Sequence, residues 1–290
     1  MSPYEALIAP FSDYAFMRRA LAGCVALSFG AAPAGVLMTL RRMSLVGDAM
    51  AHAILPGAAV GFLLFGLKVV PMTIGGLAAG LFVALAAGLV ARTTVQREDS
   101  SLAAFYLISL ALGVMIVSVK GSNVDLMHVL FGTVLALDDT ALIVLGLAAT
   151  VNLLGLAIII RPLVAECVDP SFLAVMSQSG GGAHLAFLVT AVLGLVAGFQ
   201  ALGTLLAVGM MMLPAAASRF WARSLEGMMM LAIAGGIGAS VLGLLVSFHF
   251  GVPSGPAITL SAGAFYLVSL MFGPVSGAIW NVLPQRHRAG

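Results

Sequence analysis

Of 290 residues, 61% are hydrophobic and 8% charged, with a net charge of +2 and a mean hydropathy of +1.14. Soluble proteins carry about 25% charged residues, and a folded chain in water needs a polar exterior that this composition cannot supply. Soluble globular, collagen-like, disordered and disulfide-scaffold classes are thereby excluded. A charge this small and scattered also excludes a phosphate-tracking nucleic-acid binder. The chain reads as an all-α, polytopic integral membrane protein.

Residues 1–17 contain Glu5 and Asp13 and no basic residue, so they lack the positive start of a cleavable signal and read as an interfacial lead-in. Apolar runs then fall at 18–40, 44–67, 71–92, 100–119, 138–161, 183–202, 203–220, 228–250 and 256–274. Each approaches the roughly 20 residues needed to cross a hydrocarbon core of about 30 Å. The seventh is short, so the expectation is eight to nine transmembrane helices. Residues 123–136 are apolar but too short to cross, and read as a short external half-helix covered by protein or water. Residues 275–290 form a tail. With no linker, repeat or low-complexity segment in view, 1–290 is taken as one domain.

Basic residues orient the bundle. With the first span running inward, only Arg18, Arg19, Lys68 and Lys120 fall outside, and the other nine of the 13 Lys and Arg residues fall within. The N-terminus is expected outside and the C-terminus in the cytoplasm. Gly76–Gly80 and Gly194–Gly198 have GxxxG spacing; in a chain with 34 glycines, ordinary small-residue packing is the preferred reading. Cys24 and Cys167 read as small apolar residues rather than as a disulfide.

Asp48 is the one acid inside a hydrophobic segment. An acid at a helix centre costs about 2.5–3.5 kcal/mol on insertion scales and calls for a reason. His52 follows at i+4 and shares its helix face. Counting about 1.5 Å per residue from Arg42 puts Asp48 roughly 9 Å and His52 roughly 15 Å into the membrane. Gly47, Ala49, Ala51 and Ala53 keep the surroundings small, and Pro56 removes a helical hydrogen bond one turn on. Three readings stay open: a site for a divalent transition metal, a proton relay, and a structural Asp–His pair. Two donors per chain are few for a metal, and a symmetric dimer would supply four.

Other constellations are weaker. Asp125 and His128 lie in the short external segment and His249 at an external span end, where each could meet an arriving cation. His184 and His287 read as solvated on the cytoplasmic side. Sixteen methionines, Met210–Met212 and Met228–Met230 among them, read as adaptable packing. No GxxxxGK[ST] motif occurs and Lys68 and Lys120 are the only lysines, so the chain is no P-loop ATPase. Neither HExxH nor a nucleophile elbow occurs, and an intramembrane enzyme is disfavoured with one acid and one histidine at depth. The stretch 214–227 interrupts two apolar spans with Pro214, Arg219, Phe220, Trp221, Arg223 and Glu226. It is nominated as a cytoplasmic contact, with Pro214 as a rigid entry and Phe220 and Trp221 as plugs. The loop 162–182, with Glu166 and Asp169, is a second candidate.

The stretch 42–57, RMSLVGDAMAHAILPG, resembles the signature of the ABC-3 family, the membrane permeases of bacterial zinc, manganese and iron importers. Segments 97–102, 125–132, 213–219 and 253–256 resemble the same family in the same order, so the likeness runs from about residue 16 to 274. It implies a homodimeric or pseudo-dimeric permease in the bacterial cytoplasmic membrane. It further implies two cytoplasmic ATP-binding subunits that use ATP, and a periplasmic or extracellular metal-binding protein that delivers the cargo. Asp48 and His52 would then carry the intramembrane metal site, with no cofactor held permanently. Met50 stands where a small polar residue is common in the family, which would alter the pocket. The absence of further oxygen ligands at depth leans the expected cargo to zinc, with manganese next. The alternative is a proton-coupled secondary metal carrier with Asp48 as its proton site.

Overall fold

A computed structural model describes residues 3–41, 43, 46–66, 68–95, 98–119, 134–168, 180–275 and 277–279. Among these there are helices and no strands. Two short helices, α1 (Pro3–Leu7) and α2 (Ala9–Asp13), form the lead-in. The long helices follow as α3 (Ala15–Leu40), α4 (Val46–Ala53), α5 (Leu55–Phe65), α6 (Val69–Thr93) and α7 (Glu98–Val119). A 3₁₀ turn at Val134–Ala136 precedes α8 (Asp139–Val168), α9 (Gly180–Leu202), α10 (Thr204–Ser218), α11 (Leu225–Phe250) and α12 (Ser254–Phe272).

Eight of these helical stretches are long and apolar enough to span a membrane, α4 and α5 together counting as one. The seventh apolar run, α10, has 15 residues and falls short. It nevertheless turns back on α9. A Cβ added to Gly198 would lie 3.1 Å from the Cβ of Ala207, whereas residues nine apart on one straight helix are separated by about 13 Å. The reversal takes one residue, Gly203, with φ 91°, a conformation open to glycine and strained for other residues. The tip stops short of the bundle's end, because Leu202 meets Gly23, more than two turns into α3.

The bundle centres on α3, 72% of whose most apolar stretch is buried. It packs on α8, α9, α10 and α11, through small residues that bring backbones together. Gly35 faces the carbonyl of Met211, and Gly30 would place a Cβ 2.9 Å from Ala149. Both GxxxG pairs are used inside the chain. Gly76 and Gly80 meet Ile54 and Val192, while Gly194 and Gly198 meet Asn152, Leu27 and Ala207. Cys24 is a buried free thiol, as expected of a small core residue.

Several expectations are corrected. Pro162 does not end a helix, since α8 runs through it to Val168, and Pro214, nominated as the rigid entry to a cytoplasmic element, lies within α10, which runs on to Ser218. Transmembrane packing tolerates proline because neighbouring groups re-satisfy the backbone. Of the expected 162–182 loop, 162–168 and 180–182 are helical, and 169–179, Asp169 among them, lie outside the described residues. His184, expected in solvent, is 6% exposed, because the first turns of α9 are packed within the bundle and not free at its end. Of the external half-helix only the turn at Val134–Ala136 is described, and Asp125 and His128 lie outside the described residues, as does His287.

Candidate metal site

Asp48 sits in the first turn of α4 and His52 in its last. The span that carries them is interrupted at Ile54, between α4 and α5. Pro56 has no N–H to give the carbonyl of His52, four residues back, so the helical ladder fails immediately after the histidine. The break is seated on α7. The hydroxyl of Ser109 donates to the carbonyl of Ala53 at 2.9 Å, and Gly113 lets α7 approach Pro56 and Leu55.

The Oδ1 of Asp48 lies 3.8 Å from Nε2 of His52. That is too long for a hydrogen bond, yet both groups occupy one helix face as the i, i+4 spacing predicts. The carboxylate is 68% exposed and the imidazole 30%. The pair is thus aimed at a common space without satisfying each other. Nδ1 of His52 is buried and has no hydrogen-bond partner among the described residues, which leaves Nε2 as the nitrogen turned toward the carboxylate. The ring of Tyr106 lies 6.1 Å from that of His52, the planes inclined at 30°.

That common space is a cavity of about 480 Å³. Asp48, Ala51 and His52 line one wall, Thr204 to Leu213 of α10 the second, and Thr259 of α12 a third. The hairpin tip at Gly203 opens directly onto it. Apart from the pair, its polar atoms are threonine hydroxyls, and Thr259 donates to Gly255 at 3.0 Å, keeping its oxygen lone pairs available. Met50 is fully buried and takes no part in the lining, so its bulk does not shape the pocket. No group of three or more His, Cys, Asp or Glu occurs among the described residues. One chain therefore offers a cation one carboxylate and one imidazole.

The other nominated residues lie elsewhere. His249 is exposed in the last turn of α11, its ring edge-on to Phe248 at 5.4 Å. Pro214 is buried within α10. Arg219, Phe220, Trp221 and Arg223 form the turn between α10 and α11, which ends where the Ser224 hydroxyl caps α11 by accepting from Gly227 N–H. Phe220 faces inward, with Tyr266 at 6.1 Å between ring centroids, and its carbonyl accepts from Val275 at 3.0 Å. Trp221 is 41% exposed. A groove of about 550 Å³ runs beside this turn, lined by Thr39, Arg219, Arg223 and Tyr266 among others. Sequence reasoning missed Tyr106, Ser109, Thr204 and Thr259. None lies near the pair in sequence, and serine and threonine are ordinary in membrane helices.

Residues 13–273 match the model of the ABC 3 transport family. The chain is 34% identical over 263 residues to the manganese import system permease protein ScaB of Streptococcus gordonii, covering 90% of this chain and 93% of that protein. It is 27% identical over 272 residues to a probable iron transport system membrane protein of Haemophilus influenzae, covering 94% and 98%. In three dimensions it is similar to a chain of PsaBC from Streptococcus pneumoniae, solved in complex with Fab. The TM-score is 0.80 at 32% identity, covering 92% of this chain and 95% of that one.

Proposed function

The chain belongs to the ABC 3 transport family, and from that premise we propose that it is the permease subunit of an ATP-driven importer that passes a divalent transition metal, manganese in the first instance, between Asp48 and His52. The observation that carries this reading is the pair itself: a carboxylate and an imidazole 3.8 Å apart, not bonded to each other, facing one cavity inside an apolar span. A structural Asp–His pair would close to hydrogen-bond distance. The residues alone lean to zinc, but the names of the two relatives carry manganese and iron, and Mn²⁺ accepts the same two donors with water completing six ligands.

Two donors do not hold a cation against its hydration shell. A second copy of the chain, related by a twofold axis, doubles the set to two carboxylates and two imidazoles. The cargo, handed over by an external binding protein, enters there and leaves toward the cytoplasm. Binding must favour entry without blocking exit, so the outward and inward states must differ in affinity for it. The chain has no phosphate loop of its own, and separate cytoplasmic ATP-binding subunits supply the energy. The turn 219–224 is the contact for them, with Trp221, Arg219 and Arg223 presented and Phe220 anchoring it. α10 joins that turn to the cavity in a single helix. Its return from Gly203, added to the eight long helices, puts the termini on opposite sides, and the bias of basic residues then favours an external N-terminus and a cytoplasmic C-terminus.

Manganese uptake by vesicles holding the permease and its ATP-binding subunit tests this. Uptake is expected to need ATP, to vanish in Asp48→Ala and to fall at least tenfold in His52→Ala, with assembly unchanged. Uptake by the permease alone under a pH gradient would replace this reading with the proton-coupled carrier, and normal uptake by both variants would remove the site.

A further inference from the structure

We infer that α7 is the positioning scaffold of the metal pair, with Ser109 fixing the helix break beside His52 and Tyr106 fixing the imidazole. The inference rests on the metal-site reading above. Tyr106, Ser109 and Gly113 stand at i, i+3 and i+7, one stripe of α7. Over two turns that stripe meets the histidine ring, the carbonyl after it, and the proline that interrupts the span.

The hydrogen bond of Ser109 is set apart from those of other buried serines. Ser28, Ser218, Ser240 and Ser269 donate to carbonyls three or four residues back in their own helices. Ser109, 6% exposed, gives its proton to Ala53, 56 residues away on another helix. That carbonyl adjoins the place where Pro56 leaves the ladder incomplete. In an apolar medium an unsatisfied carbonyl is costly, so the bond holds the break at one residue and thereby sets where α4 ends. His52 is one residue upstream, and any shift of the break carries its ring along.

Tyr106 acts on the ring directly. A tilted neighbour, 6.1 Å away between centroids and inclined at 30°, limits rotation of an imidazole whose inner nitrogen makes no hydrogen bond among the described residues. A metal-binding histidine is ordinarily oriented by a hydrogen bond at its second nitrogen; here ring packing and the pinned backbone do that work. Gly113 completes the scaffold, since a Cβ there would lie 3.1 Å from the nitrogen of Pro56 and 3.3 Å from the Cβ of Leu55. Neither Tyr106 nor Ser109 lines the cavity. Both are positioning residues, not ligands.

The test is the manganese dependence of ATP-driven uptake by the reconstituted transporter, normalised to permease content. Ser109→Ala is expected to raise the apparent KM about fivefold or more with the maximal rate within twofold. Ser109→Thr, which keeps the hydroxyl, should restore it. Tyr106→Ala should raise KM similarly, and Tyr106→Phe should not. A purely structural Ser109 would instead lower permease content at unchanged KM, and that result overturns the inference. Should Ser109→Ala fail to accumulate, the KM of Tyr106→Ala decides alone. Asp48→Ala runs alongside. If it transports normally the site reading fails; if it is inactive while Ser109→Ala and Tyr106→Ala keep the parental KM, only the scaffold fails.

Discussion

Two proline-containing spans, α3 and α4–α5, answer the same chemical insult in opposite ways. Pro33 lies inside α3 and the helix continues through it. Pro56 lies one residue into α5 and the helix is interrupted just before it, at Ile54. Both prolines remove one backbone donor. The difference is in the surroundings. Ala31, Ala32, Ala34 and Val36 are essentially fully buried, pressed among α8, α9, α10 and α11. At the break in α4–α5, Ala53 and Ile54 are just as buried, but there a cross-helix hydroxyl, that of Ser109, donates to the Ala53 carbonyl. Proline weakens a helix; where α4–α5 yields, a neighbouring helix supplies a donor to the backbone beside the break. Here the yielding span is the one that carries a carboxylate into the membrane.

The largest expected effect attacks the rigid side. Gly35 faces the carbonyl of Met211 on α10, and backbone cannot move aside as the end of a flexible side chain can. Gly35→Leu should separate α3 from α10 and leave little or no permease in the membrane, read by immunoblot and by size-exclusion of detergent extracts. A variant that accumulated normally would mean that α3 is not the fixed centre against which α4–α5 moves.

The next effect attacks the yielding side and separates function from folding. Pro56→Ala returns an N–H to the carbonyl of His52 and allows an unbroken helix. Relieving a proline in a helix interior is worth up to about 3 kcal/mol, so thermal stability should hold or rise. Metal uptake should nonetheless fall about tenfold, because the imidazole loses its place relative to Asp48. Equal uptake with and without the proline would show that the break has no part in transport.

Much of this contrast was readable from the residues, for physical reasons. Lone charges at the ends of apolar runs drew the spans, and the i, i+4 spacing of Asp48 and His52 placed them on one face before any coordinates. Pro56 announced the break. What escaped reading depends on contacts between distant residues. Ser109 and Tyr106 look like any polar or aromatic residue in an apolar helix until α7 is laid beside Ala53 and His52. His184, at the end of an apolar run, looks solvated until the start of α9 is seen packed in the bundle. Pro162 looks like a helix end, because a local rule carries no knowledge of the neighbours that compensate. The boundary between the runs 183–202 and 203–220 falls at the reversal, but Gly203, the residue that makes it, looks like any other of the 34 glycines.

The smallest effect is expected where the rigid side meets water. Arg19, near the start of α3, holds Asp139 at the start of α8 through Nε to Oδ1 at 3.0 Å and Nη2 to Oδ2 at 3.2 Å. The geometry is bidentate, and Asp139 also suits the positive end of its helix. The side chains are nevertheless 46% and 72% exposed, and exposed pairs contribute about 0.2–1 kcal/mol. Both helices are already locked by Gly30 against Ala149 and by Asn152, which donates to the Gly30 carbonyl at 2.7 Å. Arg19→Ala should therefore lower the melting temperature by no more than about 2–4 °C, measured by thermal shift in detergent, and leave manganese uptake unchanged. If uptake fell while the melting temperature stayed put, the pair would belong to the cargo's route and not to the packing. The division between a static α3 side and a working α4–α5 side would then have to be redrawn through α8.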